Sequence, residues 1–133
     1  MVVRTLAVLC FAACASAHAQ DVKVVLAGNQ EIPPVTTAAS GAGTINVAAD
    51  HTVTGSVTVS GMSPTVAHIH EAPAGFNGPI VVPLTKTGDN VWSIPAGTKL
   101  SATQFEAFRA GNLYYNIHSE AFRGGEIRGQ IKP

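Results

Sequence analysis

The chain has 133 residues but little cysteine, little charge and few aromatic side chains. Its two cysteines, Cys10 and Cys14, both fall in the first nineteen residues, so a domain built from the rest has no disulfide to staple it. Charged residues make up 12% of the sequence, and formal net charge is zero. Of eight Lys and Arg, one is Arg4; the other seven are scattered singly from Lys23 to Lys132. Without a basic patch or stripe, a nucleic-acid partner is excluded. No stretch after Asp21 approaches the roughly 20 apolar residues of a transmembrane helix. Phosphate-binding glycine loops, Gly-x-Ser-x-Gly elbows and His-Glu-x-x-His helices are all missing, and Ser60, Ser63 and Ser119 sit in no nucleophile motif. The reading is therefore not of an enzyme, although His118 with Glu126 would form an acid–base pair if they met.

The N-terminus has the layout of a secretory leader. Arg4 supplies the charge, Leu6 to Ala13 the apolar stretch, and Ala17-His18-Ala19 the small-x-small cleavage pattern. This predicts a signal peptide over residues 1–19, a mature domain over 20–133, and a periplasmic or secreted location. A lipid anchor at Cys14 is the weaker alternative, because Phe11 is unusual three residues before such a cysteine.

In the mature part, Gly, Pro, Asn and Asp punctuate short runs rich in Val, Ile and Thr. That pattern predicts an all-β fold, an antiparallel Greek-key β-sandwich or barrel of about eight strands. The strands are expected at Val22–Ala27, Gly41–Ala48, Thr52–Ser60, Val66–Glu71, Ile80–Thr85, Val91–Ile94, Leu113–Ser119 and Glu126–Ile131. Ser101-Ala-Thr-Gln104, with Phe105 and Phe108 on one face and Gly111 beyond, predicts one short capped helix over about 102–110.

Three strands carry polar residues where alternation turns them off the core. Ala67 and Ile69 share one face, His68 and His70 the other. Leu113, Tyr115 and Ile117 oppose Asn116 and His118. Ile127 and Ile131 oppose Glu126, Arg128 and Gln130. Residues two apart on a strand are about 6.6 Å apart with parallel side chains, so a third imidazole from a neighbouring strand would complete a ligand set for copper or zinc. Glu126 would be a further ligand or a carboxylate orienting a ring. The competing reading is a hydrogen-bonded polar cluster in which Glu126 pairs with Arg128 or a histidine and the ring nitrogens bond backbone or water. Glu31, before Ile32-Pro33-Pro34, would either reach this face or bond turn amides. His51 is expected to be solvated in a turn. Gly75-Phe-Asn-Gly-Pro79 has the position of a binding loop, yet turn geometry alone would account for its Gly and Asn.

Five segments together resemble the CHRD domain family: Leu26-Ala-Gly-Asn-Gln-Glu31-Ile-Pro-Pro-Val35, Ala67-His-Ile-His70, Gly75-Phe-Asn-Gly-Pro-Ile-Val-Val82, Tyr115-Asn-Ile-His-Ser119 and Gly125-Glu-Ile-Arg-Gly-Gln130. They come in the family's order and span nearly all of the mature chain. The resemblance implies a β-sandwich module of poorly known biochemical role. Ser119 stands where the family often has Thr, and no Pro precedes Gly125-Glu126, which implies a freer loop over 120–125. A looser likeness, through Gly55-Ser-Val-Thr-Val-Ser-Gly61 leading into His68-Ile-His70, is to the barrel of copper–zinc superoxide dismutase. The histidines and aspartate for a metal pair are missing, so this likeness implies at most a single-metal relative. Two functions follow: metal binding through His68, His70 and His118, or a structural or adhesive module that binds a protein or glycan through its loops and edge strands.

Overall fold

A computed structural model describes residues 21–133; the leader and both cysteines lie outside the described residues. The described residues form nine strands and one α-helix: β1 (Val22–Ala27), β2 (Ser40–Val47), β3 (Val53–Ser60), β4 (Pro64–Glu71), β5 (Ile80–Pro83), β6 (Thr85–Gly88), β7 (Val91–Ser93), α1 (Ala102–Arg109), β8 (Leu113–Ser119) and β9 (Ile127–Ile131). All pairings are antiparallel, in a single sheet of order β5-β4-β8-β9-β1-β2-β3-β7-β6. Its two edges, β5 and β6, are consecutive in the chain and joined through Leu84 alone, whose N–H donates to Ala67 O at 2.9 Å. One residue thus bends the chain from one edge of the sheet to the other, and the sheet becomes a nearly closed barrel. The expected fold class holds. The ninth strand arises because Ile80–Thr85 is two strands, and the second runs on to Gly88.

Alternation fills the barrel. Val24 and Leu26 of β1, Ile45 and Val47 of β2, Val57 and Val59 of β3, Ala67 and Ile69 of β4, and Leu113, Tyr115 and Ile117 of β8 are all buried. Ile127 and Ile131 of β9 join them. Tyr115 keeps its hydroxyl satisfied inside by donating to Thr44 O at 2.9 Å, and burial pushes its pKa well above the ordinary phenol value. Helix α1 starts at the expected capping box: Ser101 Oγ accepts from Gln104 N, and the Gln104 side chain accepts from Ser101 N. Its Phe108 packs into the core, while Phe105 stacks on His51 with ring centroids 4.2 Å apart. His51, with φ 71°, is therefore held against an aromatic ring rather than simply solvated.

Among the described residues no helix is long and apolar enough to cross a membrane. Stability rests on the barrel interior, and truncating it should show that. Ile69→Ala, at a fully buried position, is expected to lower unfolding free energy by about 2–4 kcal/mol. Val25→Ala, on the outer face at 70% exposure, should change it by less than about 0.5 kcal/mol. Urea unfolding of both variants checks the contrast.

Candidate metal centre

The second face of β8 is covered and that of β4 only partly, with His68 and His70 half-buried and Val66 exposed. All seven residues of β8 are buried, including the outward-pointing Tyr114, Asn116 and His118. Two loops cover them. One follows β1, with a 3-10 turn at Gly28–Gln30, Glu31 and a cis Ile32–Pro33 bond; the other runs from Ala72 to Pro79 between β4 and β5. Asn77 ties them together, its Nδ2 donating to Ile32 O at 2.9 Å.

Under these loops the β4–β8 ladder sets Val66 opposite His118, His68 opposite Asn116 and His70 opposite Tyr114. His68 and His70 stand two residues apart on β4, with His118 diagonal to His68 on β8. Their ring centroids are 5.5 Å (His68–His70), 5.1 Å (His68–His118) and 6.4 Å (His70–His118) apart. One ring nitrogen from each lies within 4.8 Å of the other two. His68 Nδ1 and His118 Nε2 are already 3.4 Å apart. Nitrogens held about 2.0–2.1 Å from a tetrahedral ion stand roughly 3.4 Å from one another, so this pair has the required spacing and the third needs only a small adjustment.

Backbone carbonyls set two of the tautomers. Gly78 O lies 2.9 Å from His70 Nδ1, and Arg123 O lies 2.7 Å from His118 Nδ1. A carbonyl only accepts, so both Nδ1 atoms carry the proton and both Nε2 atoms present a lone pair. His118 Nε2 meets His68, but His70 Nε2 is buried without any hydrogen-bond partner. Burial, followed by the neighbouring His118 and His70, lowers the pKa of His68. Burial also lowers that of His70, with His118 and Arg128 acting the same way against the Gly78 bond. The neutral, ligating form of both rings is favoured.

Both carbonyls depend on loop geometry. A Cβ at Gly78 would lie 1.8 Å from Glu71 O, so only glycine lets this loop approach β4 closely enough for its carbonyl to meet His70. The Gly78 N–H donates to the Tyr114 hydroxyl at 3.1 Å. The loop over 120–125, despite lacking proline, is held by Ser119 Oγ accepting from Phe122 N and by Gly125 N donating to Phe122 O. That turn brings Arg123 O to His118.

The other polar residues fall into place differently. Glu31 does not bond turn amides with its carboxylate: Oε1 accepts from Asn116 Nδ2, across 85 residues of sequence. Gly125, with φ +124°, stands beside both; a Cβ there would come within 2.6 Å of Glu31 Oε1 and Asn116 Nδ2. Arg128 is 1% exposed, with its guanidinium 3.5 Å from the centroid of the Tyr114 ring, and Tyr114 in turn stacks on His70 at 5.0 Å. Its hydrogen bonds go to Asn77 Oδ1, Pro73 O and Gln130 Oε1. Glu126 lies apart from the imidazoles: its Oε1 accepts from the Thr37 hydroxyl at 2.7 Å, and it pairs with neither Arg128 nor a histidine. Ladder pairing of β9 begins only at Ile127, so alternation does not govern Glu126. The structure brings His68, His70 and His118 together and does not bring Glu126 with them. Asn77 and Gly78, read from sequence as turn residues, turn out to hold the site; their only signal was their position after the His-x-His strand.

Glu31 has a consequence for stability. Burial raises its pKa from 4.5 to about 7, against the lowering effects of Asn116 and Arg128. Between those two values the folded protein binds more protons here than the unfolded chain, so this group's contribution falls as pH rises. His68 and His70, with depressed pKa values, act in the opposite sense and lose stability as pH falls below about 6.5. Glu31→Gln isolates the first effect. The stability of the chelator-treated parent relative to E31Q should fall by about 2–3 kcal/mol at most between pH 5 and pH 8, measured by urea unfolding. A pH-independent difference would contradict this.

No curated protein and no solved structure is significantly similar to the chain. The profile of the CHRD domain matches residues 22–131, from the first residue of β1 to the last of β9. The chain belongs to the CHRD domain family.

Proposed function

We propose that this protein binds one transition-metal ion, copper or zinc, through His68, His70 and His118, and does so outside the cytoplasm after export by the leader over residues 1–19. The observation that carries the reading is the buried His70 Nε2, without a hydrogen-bond partner in a group of three imidazole nitrogens within 4.8 Å of one another. A buried acceptor left unpaired costs about 1–3 kcal/mol, and a metal bond removes that cost. Two features support it further. Backbone carbonyls hold the Nδ1 protons of His70 and His118, the arrangement that orients histidine ligands. Depressed pKa values keep His68 and His70 unprotonated near neutral pH. Glu126, bonded to Thr37, is left to structure rather than ligation.

The mature protein, purified without a histidine tag, is expected to bind one equivalent of copper or zinc by native mass spectrometry. Metal at 100 times its dissociation constant should stabilise the fold by about 2.7 kcal/mol. His68→Ala and His118→Ala should each weaken binding by about 100-fold or more in chelator competition, and His51→Ala should leave it unchanged. Undiminished binding in both cluster variants would end the metal reading.

A further inference from the structure

The charges around the three imidazoles differ from those of most divalent-cation sites. No carboxylate or thiolate belongs to the group: among the described residues the clustered donors are three imidazole rings and nothing else. The cation whose charge acts on His70 is Arg128, buried to 1% exposure and, among the described residues, in no ion pair with a carboxylate. It sits on the Tyr114 ring that stacks on His70, so guanidinium, phenol and ligand imidazole are in series at 3.5 Å and 5.0 Å. The Asn77 and Gln130 amide oxygens and the Pro73 carbonyl solvate that charge without neutralising it. Glu31 feels the Arg128 charge through space, but it bonds Asn116 instead.

From this arrangement we infer that the ion the site selects is monovalent copper, in preference to divalent copper or zinc. This rests on the metal reading of the three histidines given above. The Born cost of placing an ion in a low-dielectric site grows as the square of its charge, so a divalent ion with no anionic ligand bears about four times the desolvation cost of a monovalent one. Repulsion from Arg128 is also doubled. For a cation on the order of 10 Å from the metal, at an effective dielectric constant of about 20, each additional unit of metal charge weakens binding roughly tenfold. Coordination number argues the same way. Copper(I), a d10 ion, is satisfied by the three nitrogen donors alone, whereas zinc and copper(II) would each need water to complete their sets.

The test measures dissociation constants for copper(I), supplied anaerobically and competed with a copper(I)-specific chelator, and for copper(II) and zinc by competition with nitrilotriacetate. The protein should hold copper(I) most tightly. Arg128→Gln should lower the ratio of copper(I) to copper(II) affinity about tenfold, Arg128→Lys should restore most of it, and Glu31→Gln, measured at pH 8, should raise it. Damage to the fold would shift R128Q and E31Q in the same direction, so opposite signs report charge alone. If R128Q does not fold, the E31Q and R128K ratios still decide. Copper(II) or zinc bound as tightly as copper(I), or ratios that do not move with charge, would overturn the inference while leaving the site intact. Failure to bind any of the three ions would overturn both this inference and the proposed function.

Discussion

The pleat of the β4–β8 ladder is the constraint on which the rest of this structure depends. Ile69 faces Tyr115 inside the barrel, and the residues on either side of Ile69, His68 and His70, are turned out by the same backbone geometry. Packing energy and site geometry are thus fixed by one register. A slip of one residue would place two imidazoles in the core and Ile69 in the polar layer, losing both the apolar burial and the cluster. The hydrophobic effect, which has no directional preference of its own, positions the histidines by claiming their neighbours.

What converts a polar sheet face into a site is the cover laid over it. The two loops, with the turn over 120–125 at His118, meet Tyr114, Asn116, His118 and Arg128 on the outer side of strands whose inner side is already core. Burial here is expensive for polar groups unless each finds a partner, and nearly all do: Asn116 with Glu31, Arg128 with Asn77 and Gln130, and His118 with Arg123 O. Backbone carbonyls also decide which nitrogen of His70 and of His118 is free. Loop closure and ligand orientation are therefore one event, carried by Gly78 O at one end of the cluster and Arg123 O at the other.

Period-2 alternation made much of this legible from sequence. The strands, the capped helix, the inward row of Leu113, Tyr115 and Ile117, and the outward row of His68, His70, Asn116 and His118 all follow from local pattern, and they agree with the coordinates because side-chain burial on a pleated strand is a local property. Glu31 and Glu126 exchanged their expected importance for a physical reason. Neither lies inside a strand: Glu31 is on a loop, and Glu126 just precedes the first paired residue of β9. A carboxylate outside the ladder is aimed by backbone turns and by contacts 85 or 89 residues away, which no periodicity encodes. The same holds for Asn77 and Gly78, whose composition suits any tight turn. Splitting of Ile80–Thr85 at Leu84 escaped notice because the bend serves barrel closure, a property of the whole sheet.

Membership of the CHRD family accounts for the barrel, but a fold does not assign an activity, and the argument for one must come from the site. A polar cluster kept only for stability would be expected to give every buried ring nitrogen a partner, from backbone, side chain or water, and the buried arginine a carboxylate. This one does neither. Glu31 bonds Asn116, Glu126 lies apart on Thr37, the arginine lies on a tyrosine ring, and one imidazole nitrogen has no partner. Charge and hydrogen-bonding capacity are both left over at the same place, and burial makes each deficit costly. A small cation satisfies the first deficit of the imidazoles by accepting their lone pairs. The guanidinium beside them, which no described carboxylate bonds directly, then limits how much charge that cation can carry.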